Sequence, residues 1–216
     1  MNRKQLAVYF IMGSENVTEK KPLALLEEAL QGGITMFQFR EKGEHARKGE
    51  AYVQFAKACQ ALCKRYAVPF IVNDDVALAL KIGADGIHIG QDDEAVRDVK
   101  KRIGSMLLGV SAHTMDDVAE AVANGADYVG IGPIFATTSK DDAKAPAGTD
   151  FLSDVAATYP SLPIVAIGGI TEENVDQTTR AGADGVAVIS TICRSTNVRE
   201  TIQHLQRSMK KAQVNC

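Results

Sequence analysis

Apolar residues along this chain gather in eight short runs, at positions 6–12, 35–40, 70–73, 86–89, 106–111, 128–132, 164–168 and 185–189. The runs are rich in Val, Ile, Leu and Phe and too short for ordinary helices, so each predicts a strand. Between them, apolar positions recur at helical spacing over 22–31, 51–66, 76–82, 115–123, 172–181 and 198–211. A parallel neighbour is reached only through a crossover, so strands alternating with helices predict a parallel sheet. Eight such runs predict an α/β fold, a single closed (β/α)8 TIM barrel over residues 1–216 with its active site at the C-terminal ends of the strands.

A short repeat punctuates the pattern. Gly83-Ala84-Asp85-Gly86, Gly125-Ala126-Asp127-Tyr128 and Gly182-Ala183-Asp184-Gly185 each precede a strand, and Gly32-Gly33-Ile34 holds the same place before the second one. Each glycine suits the left-handed residue that ends a helix. The repeat therefore marks the corners before strands two, four, six and eight, and puts its aspartates on the bottom face, where the expected role is stability. No linker or charge block divides the chain. The connection 134–149 is long and polar, with Lys140, Asp141, Asp142 and Lys144, which suits a lid or binding loop or, alternatively, a solvated loop.

Composition narrows the function classes. With 216 residues, 45% of them hydrophobic and 24% charged, the chain can bury a sizeable core. A net charge of -3 and a pI near 5.8 argue against bulk binding to nucleic acid or anionic membrane. Cys59, Cys63, Cys193 and Cys216 follow no disulfide or zinc spacing, and Cys59 and Cys63 share a helix face as packing residues. No signal-peptide pattern or membrane-length apolar run is present, so a cytoplasmic setting is the expectation. The partners expected are small-molecule substrates, in a chain compatible with a homo-oligomer.

The strand ends carry the candidate chemistry. In Met36-Phe37-Gln38-Phe39-Arg40-Glu41-Lys42, one face is aromatic and the other bears an amide, a guanidinium and, close behind, an ammonium suited to an anion. Asp74 and Asp93 follow neighbouring strands and could hold Mg²⁺ with waters and substrate phosphates. Taken singly, Asp74 or Asp75 reads as a helix cap, as does Asp93; the cations Arg40, Lys42 and Lys140 around the same mouth favour the metal reading. Gly168-Gly169 and Ile189-Ser190-Thr191 match the phosphate site that barrels build from loops seven and eight. His88 falls mid-strand and is expected to point into the barrel. No serine–histidine–acid set is evident, a catalytic role for His88 or His113 is the minority reading, and His45 and His204 read as surface residues.

These segments resemble the thiamine-phosphate synthase family. The resemblance rests on Gln-Phe-Arg-Glu-Lys at 38–42, Val-Asn-Asp-Asp at 72–75, Gly-Ile-His-Ile-Gly-Gln-Asp-Asp at 86–93 and Gly-Val-Ser-Ala-His-Thr at 109–114. It continues through Gly-Ile-Gly-Pro-Ile at 130–134, Ala-Ile-Gly-Gly-Ile at 166–170 and Val-Ile-Ser at 188–190. The resemblance implies a barrel that joins an aminopyrimidine methyl diphosphate to a thiazole phosphate and releases pyrophosphate. It implies that Gln38, Phe39, Arg40, Glu41, Lys42, Asn73, Ser111 and Lys140 bind the pyrimidine diphosphate, with Arg40, Lys42, Lys140 and Ser111 acting in catalysis. Asp74 and Asp93 would hold Mg²⁺, and Thr137, Thr138, Ser139, Gly169, Ile189 and Ser190 would bind the thiazole phosphate. The family's Pro-Thr-x-Thr-Lys reads Ala136-Thr137-Thr138-Ser139-Lys140 here, which implies altered affinity or loop stiffness with activity retained. Glu41 alternates away from the site and is expected to pair behind Arg40 or Lys42. A thiazole tautomerase would not need residues 38–42 with Asp74 and Asp93, a sugar-phosphate isomerase would need a clear general base, and a phosphate-ligand sensor would not need metal carboxylates.

Overall fold

Eight parallel strands pair in chain order and the last closes on the first. They are β1 (Val8–Met12), β2 (Met36–Phe39), β3 (Phe70–Asn73), β4 (Gly86–Ile89), β5 (Leu107–Ala112), β6 (Tyr128–Ile131), β7 (Ile164–Ile167) and β8 (Gly185–Val188). Around them lie α1 (Pro22–Gly32), α2 (Gly49–Arg65), α3 (Val76–Ile82), α4 (Val96–Ile103), α5 (Met115–Ala123), α6 (Gly148–Thr158), α7 (Val175–Arg180), the single turn α8 (Ser190–Cys193) and α9 (Val198–Gln213). This computed structural model describes residues 1–91, 93–137, 139 and 145–213. No described helix is long and apolar enough to cross a membrane.

The (β/α)8 expectation holds, with local differences. The first strand starts at Val8 because residues Arg3–Leu6 form a 3-10 turn capped by the Asn2 side chain. Leu6 from that turn plugs the bottom of the barrel. Helices α4 and α6, absent from the periodicity reading, bury Val96, Val99 and Ile103 in one and Leu152 and Val155 in the other.

Alternation along the strands sorts the core into two parts. Phe10, Phe37, Phe39 and Phe70 face the helices, where their rings meet edge-on, tilted or stacked at 5.8–6.1 Å. Tyr9, Met36, Ile71, Tyr128 and Val165 fill the barrel interior. Gln38 and His88 are buried there too, so this interior is partly polar.

The repeat seen in the sequence has a physical job. The Asp85, Asp127 and Asp184 carboxylates accept the backbone N–H of Phe70, Leu108 and Ile164 at 2.8–2.9 Å, and the Thr35 hydroxyl accepts that of Val8 at 2.9 Å. Each corner before an even-numbered strand thus satisfies the exposed start of the strand before it. The glycine ahead of each corner has positive φ, from 63° to 97°. Asp184 also receives the Arg3 guanidinium at 2.9 Å. Asp184→Ala removes both contacts and is expected to lower unfolding free energy by about 2 kcal/mol in urea titration. No change in the urea midpoint would contradict that role.

Candidate active site

A cavity of about 240 Å³ opens at the C-terminal mouth of the barrel. Arg40, Lys42, Asn73, Asp74, Asp93, Ser111, Thr137, Ser139, Gly169, Ile189 and Ser190 all line it. The expected residues therefore converge from strands two to eight, although they lie up to 150 positions apart in the chain. Lys140 and Thr138 lie outside the described residues, as do Asp92, Asp141, Asp142 and Lys144.

At the β2 end, three of the expected residues stand outside the cavity lining. Gln38 sits two residues, or about 6.6 Å, below Arg40 on the same face of the strand. It is 1% exposed and donates to the Tyr9 hydroxyl at 2.8 Å, so its side chain does not join the cationic rim. Phe39 faces the helices and packs on Tyr52 and Phe55 with ring centroids 5.5 Å away, outside the cavity. Glu41 turns from the mouth and pairs with neither Arg40 nor Lys42. Its carboxylate accepts from the Ser14 amide at 2.7 Å, the Ser14 hydroxyl at 2.5 Å and the Arg47 amide at 2.9 Å, with the Arg47 guanidinium at 3.5 Å. It ties the loops after β1 and β2 together, and so holds the backbone between two rim cations. The run looked like a single polar face in sequence; the strand ends at Phe39, and Arg40 and Lys42 reach the cavity from the chain beyond it.

Two carboxylates define the acidic side. Asp74 has φ of 61°, a left-handed conformation unusual for a residue with a side chain, and its amide donates to the His88 carbonyl at 2.9 Å. That twist separates the roles of two adjacent aspartates. Asp75 accepts the Leu78 amide at 2.8 Å and caps α3, whereas Asp74 turns into the cavity. Asp93 does not cap α4, whose N-cap is Ala95; it accepts the Gly90 amide at 2.7 Å. The Asp74 carboxyl meets that of Asp93 and takes the Lys42 ammonium at 2.5 Å. Burial pushes the Asp74 carboxyl above its ordinary 3.8, with the facing Asp93 adding to the rise and Lys42 opposing it. Like charges held this close favour a shared proton or a shared cation. Hard oxygen donors in a pair suit a divalent ion that draws its other ligands from water and phosphate. No third acid, His or Cys joins them among the described residues.

Across the mouth, the Ser139 hydroxyl donates to the Ser190 hydroxyl at 3.1 Å, joining the loop after β6 to the turn after β8. Gly168 and Gly169 have φ of 98° and 64°. A Cβ on Gly169 would come within 2.5 Å of the Ala136 carbonyl oxygen, so this glycine is needed for the contact between two loops as well as for access to the backbone.

Further cavity residues carried no assigned site role from the sequence. Gln91 donates to the Ser111 carbonyl at 2.5 Å. The His113 Nδ1 donates to the Gly132 carbonyl at 2.7 Å. Pro133 and Ile167 supply apolar wall. His88 points inward as expected and reaches the cavity floor, with its Nε2 3.0 Å from the Ser111 hydroxyl. The only sequence signal for these residues was their position near strand ends.

Comparison with known proteins agrees with this fold. The family model described as thiamine monophosphate synthase matches residues 8–192. The thiamine-phosphate synthase of Lysinibacillus sphaericus (strain C3-41) is 56% identical over 202 residues, covering 94% of this chain and 95% of that protein. That of Bacillus mycoides (strain KBAB4) is 53% identical over 207 residues, covering 96% and 94%. Among solved structures, the thiamine phosphate pyrophosphorylase of Pyrococcus furiosus superposes with a TM-score of 0.85 at 28% identity, covering 97% of this chain and 98% of that one. With its barrel fold and nearly its whole length shared with these proteins, the chain belongs to the thiamine monophosphate synthase family, a family of transferases.

Proposed function

We propose that this chain, acting as one domain, condenses 4-amino-2-methyl-5-pyrimidinylmethyl diphosphate with thiazole ethyl phosphate, or its carboxylated tautomer, to give thiamine phosphate and pyrophosphate. The observation that carries the reading is the Lys42–Asp74–Asp93 cluster beside Arg40, in the same cavity as the Ser139–Ser190 contact. One wall offers cations and paired carboxylates for a diphosphate. The other offers hydroxyls and a glycine backbone for a monophosphate.

Asp74 and Asp93 would hold Mg²⁺, which when bound would neutralise charge on the diphosphate. Arg40 and Lys42, with Lys140 by resemblance, would bind the same leaving group and stabilise negative charge as the carbon–oxygen bond breaks. Asn73 and Ser111 would orient the pyrimidine end. Thr137, Ser139, Gly169, Ile189 and Ser190, with Thr138 by resemblance, would place the thiazole phosphate so that the ring nitrogen faces the methylene. The electron-rich pyrimidine can support positive charge at that methylene, so leaving-group stabilisation and positioning carry the step. A general base is not required.

A coupled pyrophosphate assay tests the reading. Release is expected only with both substrates and Mg²⁺ present. Full activity in EDTA would remove the metal assignment, and the absence of any condensation product would remove the reaction.

A further inference from the structure

A hydrogen-bonded chain of five side chains crosses the barrel interior and ends in the cavity. Gln38 Nε2 donates to the Tyr9 hydroxyl at 2.8 Å, and the Tyr9 and Tyr128 hydroxyls lie 2.9 Å apart. The Tyr128 hydroxyl is 3.2 Å from His88 Nδ1, and His88 Nε2 is 3.0 Å from the Ser111 hydroxyl. Gly109 makes the crossing fit, because a Cβ there would come within 2.3 Å of the Tyr128 hydroxyl and 2.5 Å of His88 Nδ1. Barrel interiors are ordinarily filled by branched apolar residues, so a polar chain in this one calls for a reason.

Proton counting gives the chain a direction. Burial pushes both phenols well above their ordinary range, so each keeps its single proton. The Gln38 amide donates to Tyr9, whose one proton then goes to Tyr128. The Tyr128 proton goes to His88 Nδ1, which must offer a lone pair. A neutral imidazole accepting at Nδ1 carries its proton on Nε2 and donates it to Ser111. The Ser111 hydroxyl, with an acceptor lone pair engaged, is left to donate its own proton into the cavity. Reversal would bring two donors onto the Tyr9 oxygen and turn the Tyr9 proton out of the chain.

We infer that Tyr9 and Tyr128 are positioning residues that hold His88 in the tautomer protonated at Nε2 and thereby fix Ser111 as a hydrogen-bond donor to the bound substrate. This rests on the proposed reaction for its effect on rate, but not for the tautomer itself. Neither tyrosine lines the cavity, so their influence passes through His88. A donor already aimed at the substrate holds the pyrimidine end in place without having to reorient.

The tautomer is read directly by ¹⁵N NMR on histidine-labelled protein, with the His88 signals assigned by their loss in His88→Gln. The wild type is expected to show a bare Nδ1 and a protonated Nε2 at neutral pH. Tyr128→Phe, which removes the donor to Nδ1, is expected to mix the two tautomers. It is also expected to lower kcat for pyrophosphate release about tenfold, the worth of one well-placed hydrogen bond, with KM within about twofold. Tyr9→Phe should act in the same direction more weakly, and supplies the same readout if Tyr128→Phe does not fold. A proton on Nδ1 in the wild type, or an unchanged tautomer and kcat in the foldable variant, would overturn the inference. Loss of condensation in the wild type would remove the proposed reaction while leaving the tautomer result in place.

Discussion

Asp93→Asn is expected to lower kcat/KM for pyrophosphate release by about two to three orders of magnitude, the scale set by removing one preorganised stabilising group. The amide oxygen of asparagine can still accept the Gly90 N–H that Asp93 holds at 2.7 Å, so the loop is expected to keep its shape. What disappears is one of the two charges that face each other at the mouth. With a single carboxylate left beside the Lys42 ammonium, the cluster has no net negative charge to hold a divalent cation. The Mg²⁺ concentration giving half-maximal activity should therefore rise together with the loss of rate. Combining Asp93→Asn with Asp74→Asn should cost much less than the sum of the two, since both act through one ion. A loss below tenfold, with unchanged Mg²⁺ dependence, would place the cation elsewhere.

Gly169→Ala is expected to harm both stability and the monophosphate wall. Its φ of 64° carries a strain of about 1–2 kcal/mol for any residue with a Cβ. The new methyl would also meet the Ala136 carbonyl oxygen at 2.5 Å and the Phe135 Cβ at 2.8 Å, and relieving that overlap costs about 1–3 kcal/mol more. Urea titration should show a total loss of about 3 kcal/mol. Gly83→Ala is the internal control: its φ is 63°, but nothing lies within 4 Å of the added Cβ, so it should show the strain alone. Because the displaced loop leads to Thr137 and Ser139, KM for the thiazole phosphate should rise in Gly169→Ala and stay level in Gly83→Ala. Equal losses in the two variants would mean that the loop–loop contact is not limiting.

How much of the site could be read in advance differed from residue to residue. Asn73, Asp74, Asp93 and Ser111 were legible because a parallel barrel brings every strand end to one rim. Phe39 and Glu41 point away from the mouth, as strand alternation predicts; only the resemblance had put them among the substrate-binding residues. Glu41 then found Ser14 and Arg47, partners 27 and 6 positions away whose approach depends on how two loops fold. Gln38 was assigned to the right face, but its depth along that face decided its partner.

By itself, the sequence determined the eight-fold alternation, the four corners and the set of strand ends that could carry chemistry. Those follow from local periodicity and from glycine, aspartate and threonine chemistry at fixed offsets, which act over a few residues. Only the tertiary structure decided that Asp75 caps a helix while Asp74 enters the cavity, because the backbone twist at Asp74 is held by contact with the neighbouring strand. It also decided that Tyr9, Gln38, His88, Tyr128 and Ser111 form one line across the barrel. Those five come from β1, β2, β4, β6 and β5, and hydrogen bonds between them are set by closure of the sheet.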